Sequence, residues 1–220
     1  MDYQADGGGK RTSSWMFRVL GWITCSVSLI VIAIVIYRCA SIGMPSELKN
    51  YILGSPEIEG ARAELGEGFV MYGLDIRNAF GMGDAFYAAN IYYLESAENL
   101  QLTLRCKTSR FRGLFDSPGE PGRPFAAYLK ISGGEEGGEI VLQSAGEAKF
   151  GKNSDSYVYF VYSFDGVAID YAKSRLDLYI FDNEPGAVAP YDEDAYMTRF
   201  TLFDVNMPKT KLQLKNFSPH

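Results

Sequence analysis

The sequence predicts an all-β domain, an antiparallel β-sandwich, preceded by one transmembrane helix. Three observations carry this expectation. One uncharged apolar run, Val19 to Tyr37, stands near the N-terminus of the 220-residue chain. Beyond Gly66, short segments rich in Val, Ile, Tyr and Phe recur between clusters of Gly, Pro, Asn and Asp. Several of these segments alternate apolar and polar residues, as strands with one wet face do. Regularly spaced short strands with turn-rich joints favour a sandwich, with a barrel as the structural alternative.

The apolar run comes first. Eleven of the 19 residues from Val19 to Tyr37 are Ile, Leu or Val. As a helix they span about 28 Å, close to the hydrocarbon thickness of a bilayer. Arg18 and Arg38 bracket the run, and Trp15, Trp22 and Tyr37 sit near its ends, as interfacial side chains do. Lys10, Arg11 and Arg18 precede it, against Arg38 and Lys49 after it, a bias toward a cytoplasmic N-terminus. The expected layout is a cytoplasmic tail over 1–18, a transmembrane helix over 19–43, a linker with short helices over 44–66 and an extracytoplasmic sandwich over 67–217. Two other readings fit less well. A cleaved signal peptide has a shorter apolar core, and Ala40-Ser41 is a poor cleavage site. A lipid anchor at Cys39 calls for a small residue where Arg38 stands. Cys25 lies mid-span and is expected to pack; with Gly21 and Ser28 it shares one helix face, which also suits helix pairing.

After the run, Pro45-Ser46-Glu47-Leu48 predicts a helix start with Ser46 as N-cap, and Gly54, Pro56 and Gly60 then break any long helix. Strands are predicted over 69–80, 85–95, 99–108, 125–132, 139–144, 156–165, 175–182, 196–205 and 210–215. Leu100, Leu102, Leu104 and Cys106 point one way, and Gln101, Thr103, Arg105 and Lys107 the other. Leu176, Leu178 and Ile180 alternate with Asp177 and Tyr179. Ser156 to Phe164 is apolar on both faces and reads as a central strand. The Pro- and Gly-rich stretch 117–124, the Gly-Glu stretch 133–139 and the acidic stretch 182–195 are predicted loops.

Phe86 to Leu94, Leu100 to Arg105, Tyr159 to Val167 and Leu176 to Ile180 together resemble a recurring layout. It is that of membrane-anchored extracellular proteins of Gram-positive, clostridial-type gut bacteria, in which an immunoglobulin-like sandwich is fused to one anchor helix. The resemblance covers about residues 66–215. It implies an immunoglobulin-like fold, no catalytic residues and no assigned substrate. The chain departs from antibody domains in lacking their Cys pair and core Trp, since both Trp flank or enter the apolar run.

Composition excludes several chemistries. The single His is the last residue, His220, and there are three Cys, at 25, 39 and 106. A Ser-His-Asp or Cys-His centre needs a His inside the fold, and a structural zinc site needs about four Cys or His ligands. No cofactor motif is present. Residues beyond Pro45 carry 17 Lys/Arg against 25 Asp/Glu, a net charge of -8, which argues against a nucleic-acid partner.

Four weaker signals remain. The stretch with Asp182, Asn183, Glu184, Asp192, Glu193 and Asp194 offers oxygen ligands to calcium, with Asp182, Glu184, Asp192 and Asp194 as the candidate set. EF-hand spacing is absent, and a solvated acidic loop is the plainer reading. Paired carboxylates could support a glycoside hydrolase, but nothing singles out a pair. Tyr87, Tyr92, Tyr93, Tyr157, Tyr159 and Tyr162 suit glycan contacts if exposed and cross-strand packing if not. Arg105, Lys107, Arg110 and Arg112 form a basic stretch that could meet an acidic partner or the cell wall, or guard a strand edge with charge.

The expected function is therefore a non-enzymatic interaction or accessory module at the cell surface. The membrane is engaged through one helix, and a protein partner through loops 117–124 and 182–195 or by strand addition at an edge. A calcium- or glycan-binding module is the alternative. The layout predicts that protease added to intact cells removes everything beyond Pro45; full protection of that part would reverse the orientation.

Overall fold

The computed structural model describes residues 10–42, 45–74, 80–111, 125–133, 138–152, 156–183, 187–205, 209–212 and 218–219. The chain divides into two compact units, 1–43 and 44–220.

The first unit is the helix α1 (Lys10–Ile42). Its 23 residues from Trp15 to Tyr37 are long and apolar enough to cross a membrane, and none is buried within the protein. A membrane anchor and a signal sequence share these properties. The Thr24 hydroxyl donates to the Leu20 carbonyl at 2.9 Å, so the helix satisfies this polar group by itself.

Among the described residues the second unit holds one α-helix, α2 (Pro56–Leu65), and thirteen strands. These are β1 (Tyr51–Ile52), β2 (Met71–Leu74), β3 (Phe80–Gly81), β4 (Phe86–Leu94), β5 (Asn99–Lys107), β6 (Phe125–Ser132) and β7 (Glu139–Gln143). Then follow β8 (Ala145–Lys152), β9 (Tyr157–Asp165), β10 (Arg175–Asp182), β11 (Thr198–Phe203), β12 (Lys209–Lys211) and β13 (Ser218–Pro219). A seven-stranded sheet has the order β12-β2-β4-β5-β9-β8, with β3 also on β4, and a four-stranded sheet has the order β11-β10-β6-β7. Neighbours in both are antiparallel. The predicted antiparallel, sandwich-like architecture is therefore present.

Alternation builds the interior. Leu100, Leu102, Leu104 and Cys106 of β5 face Phe125, Ala127, Leu129 and Ile131 of β6 and Leu176, Leu178 and Ile180 of β10 in one buried cluster. Phe125 lies at its centre, with ring centroids 5.1 Å from Phe111, 5.2 Å from Phe86 and 6.3 Å from Phe160. In β4 the inward set shifts from Phe86 and Ala88 to Ile91 and Tyr93. A bulge with Asn90 at φ 46° causes the change of parity.

The two sheets approach closely at both margins. On one side the chain runs from β7 straight into β8, changing sheets at the buried Ser144, whose N–H donates to the Ala127 carbonyl at 2.9 Å. On the other side Gly81 of β3 lies against β11: a Cβ there would fall 2.1 Å from Thr198 Oγ1 and 2.8 Å from Phe200 Cζ. Only a hydrogen fits at that position.

The outer faces are covered as well. Residues 46–50 form turns where a helix was predicted to start, and the helix begins later. Ser55 caps it, accepting from the Ile58 N–H at 3.3 Å, with Pro56 in the first turn. Leu48, Ile52 and Ile58 are fully or almost fully buried, so 45–65 is a strap on the larger sheet. Ile52 and Ile58 cluster with Phe69, Met71 and Leu94. Gln101, predicted on a wet face, lies under this strap. Its amide accepts from Leu53 N–H at 2.7 Å and donates to Leu53 C=O at 2.9 Å, acting as a strand neighbour would. Asn90 Nδ2 and the Tyr92 hydroxyl both donate to the Lys49 carbonyl, at 3.1 and 3.2 Å. β13 pairs in parallel with β1.

The close contact at Gly81 predicts that Gly81→Val costs about 1–3 kcal/mol and lowers the melting midpoint by several degrees. Gly60→Ala, in α2 with open space around the position, should instead raise stability by about 0.5–1 kcal/mol. Thermal unfolding of both variants checks the pair.

Candidate interaction surface

The acidic stretch after β10 folds down on the outer face of the four-stranded sheet. Ala126, Tyr128, Tyr179 and Phe181 form a buried cluster there, joined by Ala189 and Tyr191. The Tyr191 ring lies 5.5 Å from Tyr179, 5.7 Å from Tyr128 and 5.9 Å from Phe181. The Tyr128 hydroxyl donates to the Ala189 carbonyl at 2.7 Å, and the Ala189 N–H donates to Asn183 Oδ1 at 2.9 Å.

Lys130 fastens this cover to the sheet edge. Its ammonium forms ion pairs with Glu193 of the loop and with Glu139 of β7, the latter at 2.9 Å. Hydrogen bonds to Glu193 and Glu139 raise the Lys130 pKa above its ordinary value. The Lys130 ammonium and the Tyr191 hydroxyl, which donates at 3.1 Å, hold the Glu193 carboxyl below its ordinary value. Burial, then the Glu193 bond, pushes Tyr191 up.

Three of the four candidate calcium residues, Asp182, Asp192 and Asp194, lie among the described residues and are not gathered into one group. Asp182, Asp192 and Asp194 are exposed, and Asp192 Oδ1 accepts from the Asp194 N–H at 2.9 Å, a local turn. Glu184 lies outside the described residues. Among the described residues no group of three or more His, Cys, Asp or Glu is gathered to hold a metal. Loop 117–124 also lies outside the described residues.

The tyrosines divide. Tyr93, Tyr157, Tyr159 and Tyr162 are buried, and Tyr87 and Tyr92 are half-buried. Burial pushes the Tyr93 hydroxyl up to about 12. Tyr196 is exposed, with its ring 5.3 Å from Tyr179. Three residues of the basic stretch have partners within the domain. The Arg105 guanidinium sits between the rings of Tyr87 and Tyr157, at 4.6 and 4.8 Å, and Lys107 and Arg110 pair with Asp84. β5 lies inside its sheet, so these cations guard no edge. Arg112 lies outside the described residues. Cys106 is buried, which pushes its thiol well up and makes it a poor nucleophile.

A shallow cavity of about 420 Å³ between α2 and the turn after β4 carries Glu57, Glu64, Glu98 and Asp165. Asp165 accepts from Asn99 Nδ2 at 2.6 Å. A backbone N–H and Ser55 hold Glu57 below its ordinary value, opposite to the shift a general acid needs.

The surface that stands apart is β7. Its five residues pair with β6 without a register shift, and it ends its sheet. Ile140 lies opposite the buried Ile131, on the core-facing side, yet is 55% exposed. Val141 is 38% exposed. A strand was predicted over 139–144, but its bareness depends on sheet order, which the strand pattern does not encode.

The depressed Glu193 carboxyl sets a pH dependence. A group whose folded pKa lies below its unfolded value stabilises the fold above that unfolded value, 4.5 for Glu. The contribution is lost as pH falls through the lower, folded value. Acid titration followed by near-UV tyrosine circular dichroism should show loosening of the Tyr191 cover in that range. Glu193→Gln should remove the pH dependence of this signal.

Compared with known protein families, with curated proteins and with solved structures, the chain matches none.

Proposed function

We propose that this chain is a membrane-anchored, non-enzymatic interaction module. α1 holds it in a cell membrane with the N-terminus in the cytoplasm, and the sandwich binds a protein partner on the other side. The observation that carries this reading is β7, which ends its sheet among the described residues and exposes Ile140 and Val141. Alternate residues of such a strand aim their N–H and C=O groups away from the sheet, ready for strand addition. The charges flanking α1 and its apolar length support the orientation and the anchor. Two antiparallel sheets around one aliphatic and aromatic core support grouping the domain with immunoglobulin-like modules.

Binding through this edge predicts discrete adducts when a photo-crosslinking residue replaces Gln143 in the full-length protein in its own membrane. Ile140→Lys, at an exposed position, should abolish the adducts and leave the melting midpoint within about a degree. Absence of any discrete adduct would overturn the reading.

A further inference from the structure

Among the described residues the two larger sheets run between four terminal strands, with the two-residue β3 as a further edge on β4, and three of the four are shielded. β12 carries Lys209 and Lys211. β8 carries Glu147, Lys149 and Lys152, and its pairing with β9 is interrupted between Ala145 and Lys149. β11 carries Arg199, has an irregular register against β10 and is overlain at Thr198 and Phe200 by Gly81. Charge, irregularity and cover are the usual protections against strand addition. β7, Glu-Ile-Val-Leu-Gln, has no Lys, no Pro and no register shift, and its one charge is drawn aside by Lys130.

The order of those five residues suits one partner above others. When β7 pairs antiparallel with a copy of itself about a two-fold axis at Val141, all five residues find an opposite. Val141 faces Val141, Ile140 faces Leu142 on the core side, and Glu139 faces Gln143 on the outer side. No like charges meet, and the exposed Ile140 is covered. Shifting the register by two residues places Glu139 against Val141 and leaves the strand partly unpaired.

We infer that β7 is a homotypic edge, joining the four-stranded sheets of two copies of this chain into one continuous antiparallel sheet. The inference rests on the proposed role of β7 as a binding edge and names its occupant. An apolar helix on each copy assists by confining the copies to one plane, which raises their effective concentration.

The two-fold register is tested by cross-linking in the full-length protein in membrane vesicles, with Cys25 and Cys39 replaced by Ser. Directly opposite residues have Cβ atoms about 4.5–5.5 Å apart. Val141→Cys with a short bis-maleimide should therefore give a covalent dimer. Gln143→Cys alone should not, but mixed with Glu139→Cys it should. Val141→Lys and Val141→Glu copies should each lose association, and an equimolar mixture should regain it. Adducts from the Gln143 photo-probe that contain another protein, with no dimer from Val141→Cys, would overturn the homotypic edge while leaving β7 a binding edge. A dimer equally strong in the Val141→Lys protein would also overturn it.

Discussion

Gln101 lies fully buried on the outer face of the central strand β5, and an amide in that position needs partners or costs about 1–3 kcal/mol. Leu53 supplies both, one N–H and one C=O, from the strap that follows α1. A chain of contacts spreads from this clamp. Gln101 Nε2 also donates to Asn99 Oδ1 at 3.0 Å, and Asn99 Nδ2 donates to Ser163 and Asp165 on β9. The strap is thereby wired into two adjacent strands, β5 and β9, and the apolar residues Leu48, Ile52 and Ile58 are carried with it onto the sheet.

The smaller sheet uses the same principle with different chemistry. Its outer cluster is aromatic, and its cover is held by the Tyr128 hydroxyl and by the Lys130 ammonium rather than by a side-chain amide. Covering both outer faces leaves the sheet margins as the places where backbone groups meet solvent. Three margins are shielded by charge, irregularity or an overlying strand. Three residues of the acidic loop serve this cover: Glu193 anchors, Asp192 turns the chain and Asn183 holds Ala189.

Much of the fold was legible in local pattern. The alternation of β5, β6 and β10 sets the inward faces, and the doubly apolar β9 is interior to its sheet. β8 was missed because Ala-Gly-Glu-Ala-Lys-Phe-Gly-Lys has neither clean alternation nor β-branched residues; its strand state comes from pairing with β9. The burial of Gln101 was missed because its partner is 48 residues away, and the ion pair of Glu193 because Lys130 is 63 residues away. Polar residues read as wet unless the tertiary partner is known. For β7 the strand was readable and its exposure was not, since any interior strand of the same sequence would look alike.

The parallel pairing of β1 with β13 has a temporal side. Tyr51 and Ile52 precede the other described strands of the domain along the chain, and their neighbours Ser218 and Pro219 follow all of them. Loop closure over so long a separation is slow and comes late. The strap can form early, but its sheet is completed only when Ser218 and Pro219 reach it, so the edge of β1 stays open through the earlier stages of folding.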